Sequence, residues 1–201
     1  GSLCISDGCN VVGEQFNDKD RVAQAFDYAK KAEQLNEIPD GAGLVKDNQL
    51  FEAGYNRSIT DSDPSAHAEM IAIREGGKVV NNYRLIDCTL YVTLEPCSMC
   101  AGLLVHSRIK RLVFGAADEK TGSAGSIMNL LQYPRLNDQV EVETGILGEL
   151  SGQTISDFVK RRRQEINAAK KALREQTAST ARPAMLNPAQ CCLDTLRSHQ
   201  L

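Results

Sequence analysis

No stretch of this sequence carries an apolar run approaching the roughly 20 residues of a membrane-spanning helix. The first residues, GSLCISDGCNVVG, lack the basic start and sustained apolar stretch of a secretory signal. A soluble, cytoplasmic protein with no membrane partner is the expectation. A disulfide framework is equally absent. The seven cysteines (Cys4, Cys9, Cys88, Cys97, Cys100, Cys191 and Cys192) are an odd number in a chain of 201 residues. Free thiols and a metal site in a reducing compartment fit them better. Only one close C-x-x-C pair exists, Cys97/Cys100, which argues against a four-cysteine zinc ribbon. There is no internal repeat. The Gly/Ser-rich TGSAGS lacks the spacing and the lysine of a phosphate-cradling Walker loop.

The formal charge of −3 argues weakly against nucleic acid, but it hides a gradient. Between Phe158 and Glu175 stand Lys160, Arg161, Arg162, Arg163, Lys170, Lys171 and Arg174 against only Glu165 and Glu175. That stretch is +5 and the remainder −8. Such asymmetry marks either a solvated helix face or a phosphate-binding element.

Apolar Val22, Ala25, Phe26 and Ala29 recur at helical spacing from Asp18 to Asn36, with Asn17 or Asp18 as the cap. GLVKDNQLFEAG reads as two strands joined by an Asp47-Asn48 turn. AEMIAIREGG reads as a short helix closed by Gly76-Gly77, and CTLYVTLEP as a strand. CSMCAGLLVHSR follows as a helix, then KRLVFG and VEVET as strands. A last helix is expected from about Ser151 to Glu175, with Ile155, Val159, Ile166 and Leu173 as a buried stripe. Together these elements give an α/β, three-layer α-β-α domain with a mixed sheet over residues 18–175. Residues 1–17 and 176–201 read as poorly ordered extensions. Cys88 is expected to be buried, and His106 to pack in an interior or an interface. Cys191, Cys192 and His199 fall in the C-terminal tail.

His67, Cys97 and Cys100 are soft-metal ligands at the starts of predicted helices. Cysteines three apart share one side of a turn, and a helix N-terminus favours their thiolates. Two thiolates and a neutral imidazole balance a dication, and three protein ligands leave a fourth tetrahedral position open, as in catalytic zinc sites. Glu69 is then free to move protons beside a water made acidic by the metal. One difficulty stands. Residues two apart on a helix do not face each other, so His67 and Glu69 need a special placement to share a site. Alone, His67 would read as an ordinary structural residue. The ordered set H-A-E, a strand, then P-C-S-M-C is the signature of zinc nucleobase deaminases.

The likeness extends beyond that signature. SDPSAHAEM, NNYRLIDCTLYVTLEPCSMCAG, HSRIKRLVFGAADEKTGSAGS and FVKRRRQEI resemble the bacterial tRNA-specific adenosine deaminases of the cytidine deaminase superfamily. The resemblance implies a cytidine-deaminase-like fold with a mixed five-stranded sheet, one Zn2+ per subunit and a homodimer. It implies conversion of the wobble adenosine of an arginine tRNA anticodon loop to inosine, with the base drawn out of its stack. By the same resemblance His67, Cys97 and Cys100 hold zinc, and a zinc-held hydroxide attacks adenine C6 with Glu69 as proton shuttle. Asn56 contacts the nucleoside, Asp118 and Lys120 lie beside the RNA, and Arg162 and Arg163 approach the anticodon loop.

Three positions depart from that family's pattern. Asp40, in PDGAG, stands where an apolar residue is usual, and its carboxylate would repel RNA or alter base packing. Gly43 removes a β-branched side chain, and Ser58 replaces a common proline and would loosen the loop after Asn56. Two other readings compete: a deaminase of free bases or nucleosides (guanine or cytosine type), and an inactive zinc-stabilised RNA-binding protein.

Overall fold

In the computed structural model the described residues are 15–136 and 139–181, forming two compact units that meet in sequence between Phe158 and Val159. The first unit opens with α1 (Asp18–Gln34), started by a reciprocal capping box between Asn17 and Asp20. The hairpin β1 (Gly41–Lys46) and β2 (Gln49–Tyr55) turns through Asp47 and Asn48, both at positive φ, the two-residue geometry expected of a tight hairpin. Then come α2 (Ala68–Val80), β3 (Thr89–Leu94), α3 (Ser98–His106), β4 (Arg111–Ala116) and β5 (Glu141–Glu143). Helix α4 (Gly148–Thr180) runs out of the first unit and makes up the described part of the second.

The sheet has the order β2-β1-β3-β4-β5. Strand β1 is antiparallel to β2 and β3, whereas β3, β4 and β5 are mutually parallel. The mixed five-stranded sheet expected above is therefore present. On one face Val45, Tyr91 and Val113 pack with Val22 of α1. On the other, Leu44, Leu90, Val92, Leu112 and Phe114 pack with Ala68, Ala72 and Ile73 of α2 and with Ala101 and Leu104 of α3. Alternation along each strand divides its side chains between these layers. Cys88 is buried as expected.

Three expectations need correction. Gly76-Gly77 does not close α2, which continues to Val80 and ends at left-handed Asn81. A Cβ at Gly76 would fall 2.3 Å from Leu44 Cδ2, so this glycine serves close packing of helix on sheet. Helix α4 is longer than Ser151–Glu175 at both ends; toward the C-terminus residues 176–180 include no breaker and the first proline ahead is Pro183. Its supposed buried stripe is not buried. Ile155 is half-buried, while Val159, Ile166 and Leu173 are exposed, the last at 61%. From Val159 onward the described second unit is a single helix, which offers nothing of its own to cover an apolar face. Phe158 is the α4 aromatic that is buried. Cys4, Cys9, Cys191, Cys192 and His199 lie outside the described residues.

One ion pair ties three elements together. Asp18 at the start of α1 accepts from Arg111 Nη1 at 2.7 Å and Tyr91 Oη at 2.9 Å. The Arg111 guanidinium holds the Asp18 carboxyl below its usual range. A lowered folded-state value means the contribution is full above the unfolded value of about 3.9 and is lost as pH falls through the folded one. Asp18→Asn should therefore cost about 1–2 kcal/mol in urea unfolding at pH 7. At pH 3 the gap between variant and wild type should be visibly smaller.

Candidate active site

Because β1 runs against β2 and β3, the start of β1 and the ends of β2, β3 and β4 lie along one edge of the sheet. Asp40 precedes β1, Asn56 follows β2, Glu95 follows β3, and Asp118 lies just past β4. In an open α/β sheet such a carboxyl-end edge is where ligands bind. Here it holds a cavity of about 130 Å³ lined by Ile38, Asp40, Asn56, His67, Glu69, Leu94, Glu95, Cys97, Asp118 and Thr121.

The metal-ligand types are carried by the open ends of two helices. His67 is the N-cap of α2 and Cys97 the N-cap of α3, both with extended backbone. Pro96 favours extended geometry in the residue before it and so helps carry the chain out of β3 without an immediate helix. Cys100 lies within the first turn of α3 and is buried. His67 Nδ1 stands 3.6 Å from Cys97 Sγ and 3.6 Å from Cys100 Sγ. The three donor atoms all lie within 4.8 Å of one another. Tetrahedral zinc with bonds of about 2.0 Å to nitrogen and 2.3 Å to sulfur sets an N···S separation of roughly 3.6 Å. The donor set fits zinc in chemistry and in spacing.

Glu69 completes the cluster. Its side chain is buried, and Cys100 Sγ donates to its Oε2 at 3.5 Å. One thiol thus lies within reach of both the His67 imidazole and the Glu69 carboxyl. The two-residue spacing works because His67 stands off the end of α2 while Glu69 sits inside its first turn. Burial pushes the Glu69 carboxyl up to about 7. The hydrogen bond from Cys100, then the His67 imidazole, favours the Cys97 thiolate down to about 4, while the same Cys97 contact and burial push Cys100 up.

The other sequence-predicted residues divide into two groups. Asn56 and Asp118 line the cavity. Lys120 is exposed on the adjoining loop, with its backbone N–H donating to Asp118 Oδ1 at 3.0 Å. Arg162 and Arg163 belong to the second unit, where Arg162 donates to Glu165 Oε2 at 2.6 Å. Ser58 does not leave its loop untied: its hydroxyl donates to Asn56 Oδ1 at 3.3 Å, and Arg57 N–H bonds Ala66 O at 2.9 Å. At Gly43 a Cβ would stand 2.8 Å from Leu50 Cδ1, so a neighbouring leucine already takes the space. Asp40 does line the cavity, but Thr93 Oγ1 donates to its Oδ1 at 2.8 Å. Burial, reinforced by Glu69, holds the Asp40 carboxyl well above the usual range, which favours the neutral acid over an RNA-repelling carboxylate.

Two buried acids escaped the sequence reading. Glu37 Oε1 accepts from Thr60 N–H at 2.6 Å and from Thr60 Oγ1 at 3.0 Å, pinning the loop after Asn56. Glu95 takes four donors from the loop after β4. A glutamate directly before Pro-Cys was the available signal, but only tertiary structure supplies its partners.

Residues 16–116 match the cytidine and deoxycytidylate deaminase zinc-binding region, and the site just described is that of a zinc-binding deaminase. The chain is 49% identical to a tRNA-specific adenosine deaminase of Haemophilus influenzae, over 81% of this chain and 94% of that one. It is 46% identical to that of Bacillus subtilis, over 76% of this chain and 94% of the relative. A solved structure from work on A-to-I editing by tRNA:A34 deaminases at the wobble position superposes with a TM-score of 0.65 at 34% identity, covering 67% of this chain and 97% of that one. This chain belongs to the family of tRNA-specific adenosine deaminases.

Removing a donor should empty the metal centre, whereas removing the adjacent acid should not. In elemental analysis of purified protein Cys100→Ala should retain under about a tenth of wild-type zinc. Glu69→Gln should stay near one equivalent. Equal zinc in both variants would contradict the assignment.

Proposed function

We propose that this chain hydrolyses the 6-amino group of the wobble adenosine of a transfer RNA, an arginine tRNA, to give inosine and ammonia. The observation that carries the reading is the convergence of His67, Cys97, Cys100 and buried Glu69 on one cavity. His67, Cys97 and Cys100 would hold zinc, which would supply a Lewis acid able to acidify a water beside C6. Glu69 takes the proton released by that water and hands it to the ring nitrogen beside C6. It then carries the second water proton, from the new C6 hydroxyl, to the departing amine, so that the C6–N bond breaks, C6=O forms and ammonia leaves. Asn56 hydrogen-bonds the nucleoside, and its enclosure among Asp40, Leu94 and Glu95 supports that role. A cavity of about 130 Å³ suits a single base removed from its stack rather than a paired one.

Asp118 and Lys120 meet the RNA from the loop after β4, and Arg162 and Arg163 neutralise phosphates. The exposed Lys120 and the +5 stretch support this. No described helix is long and apolar enough to cross a membrane. The enzyme works in the cytoplasm as a homodimer. A groove of about 690 Å³ along α2 and α3, lined by Ile73, Tyr83, Leu103 and His106, supports a paired surface. Light scattering should give twice the chain mass.

Inosine formation in an arginine tRNA anticodon stem-loop, compared with turnover of free guanine and cytidine, tests the reading. The stem-loop should react and the free compounds should not. The reverse outcome would assign a free-base deaminase. Glu69→Ala should lower kcat by about 10²–10⁴-fold with zinc retained, the range for loss of a general acid–base group. Full residual activity would defeat the proton-shuttle role. Replacing Arg162 and Arg163 with Ala should weaken RNA binding and flatten the slope of log K against log salt by about 0.7–0.9 for each phosphate no longer neutralised.

A further inference from the structure

We propose that Glu95 is a positioning residue whose buried carboxylate clamps the loop from Asp118 to Ser126 onto the Pro96–Cys97 segment and so sets the RNA-facing rim of the pocket. The inference deepens the tRNA deaminase reading above and rests on it for the identity of the substrate.

Glu95 is only 3% exposed, yet it lines the same cavity as Glu69. A carboxylate there could be a second proton carrier or a structural anchor, and its partners decide. Oε2 accepts from the backbone N–H groups of Ala124 and Ser126, each at 3.2 Å. Oε1 accepts from Ser126 Oγ at 2.5 Å and from Asp118 N–H at 3.4 Å. Both oxygens are engaged by one loop, which leaves Glu95 poorly placed to exchange protons with a substrate. A buried carboxylate is tolerated when several donors satisfy it, and here all four come from residues 118 to 126.

The clamp closes on the metal-bearing segment through two further pairings. Ser123 N–H donates to Pro96 O at 2.8 Å, and Cys97 pairs with Gly122 in an isolated antiparallel bridge. Gly122 has no room for a side chain, since a Cβ would fall 2.0 Å from Glu95 Oε2 and 2.4 Å from Asp118 O. The loop itself is pre-formed at its near end. Asp118 Oδ1 accepts from the N–H groups of Lys120 and Thr121, and Thr121 Oγ1 donates to Asp118 Oδ2 at 2.6 Å. Asp118 and Thr121 line the cavity. Moving this turn would reshape the rim, reaching the metal-bearing segment only through its backbone pairings with Pro96 and Cys97.

The hydrogen-bond pattern predicts graded effects. In Glu95→Gln an amide oxygen in place of Oε2 still accepts from Ala124 and Ser126, and the amide nitrogen can donate to the Ser126 hydroxyl. Only the Asp118 N–H is deprived of its acceptor. Glu95→Ala removes all four hydrogen bonds, and Gly122→Ala keeps the carboxylate but wedges it and the loop apart. Hydrogen exchange on zinc-loaded protein reads the clamp without activity. In Glu95→Gln the Asp118 amide should exchange about 5-fold faster, the equivalent of one modest hydrogen bond, with Ala124 and Ser126 little changed. Gly122→Ala should accelerate all three.

With an anticodon stem-loop as substrate, KM should rise about 5-fold in Glu95→Gln, with zinc content and kcat within about 2-fold of wild type, and KM should rise further in Gly122→Ala. Wild-type exchange at Asp118 in Glu95→Gln, a fall in kcat at unchanged KM in that variant, or wild-type exchange at all three amides in Gly122→Ala would overturn the proposal. If Glu95→Ala does not fold, these two variants still decide. A wild-type chain that forms no inosine would instead defeat the functional reading, and the exchange rates would still test the clamp.

Discussion

Two helix N-termini have to meet at one point for this site to exist, because each of its three metal-ligand side chains stands at the N-cap or in the first turn of α2 or α3. His67 and Cys97 stand at N-cap positions, outside the helical ladder, and their side chains reach beyond the helix ends. Cys100 comes up from within the first turn of α3, which brings three donors to separations set by tetrahedral zinc. The sheet order makes the meeting possible. Helices α2 and α3 share one face, packed on β1, β3 and β4 through Leu44, Leu90 and Phe114. The open helix ends also favour the thiolate form that metal binding needs.

The second feature of the site is its load of buried acid. Glu37, Asp40, Glu69 and Glu95 are all buried in the same unit. Each is accommodated differently. Glu37 and Glu95 are satisfied by donors from loops on either side of the cavity. Asp40 is held toward its neutral form by burial and by Glu69, with Thr93 donating to one oxygen. Glu69 accepts from Cys100 Sγ and from its own backbone N–H, with no donor from a clamping loop among the described residues, and it faces the cavity, as a group that must pick up and release protons requires. Full satisfaction would suit an anchor and hinder a shuttle, so the hydrogen-bond pattern separates the two kinds of glutamate.

Much of this was readable from residue order. The hairpin at Asp47-Asn48, the mixed sheet and the ligands His67, Cys97 and Cys100 follow from alternation, turn chemistry and spacing. What escaped depended on neighbours distant in sequence. Gly76 looks like a helix stop until Leu44 is seen beneath it, and Glu95 is one more residue before a Pro-Cys until the loop after β4 folds onto it. The periodic stripe Val159-Ile166-Leu173 shows the converse limit. Helical spacing signals a face that could be buried, and only packing decides whether it is.

X-ray absorption at the zinc edge of the purified chain reads out whether His67, Cys97 and Cys100 form one open zinc site. Two sulfur neighbours at about 2.3 Å and two nitrogen or oxygen neighbours at about 2.0 Å are expected, at one zinc per chain. A four-sulfur shell, or a spectrum unchanged in Cys100→Ala, would contradict it.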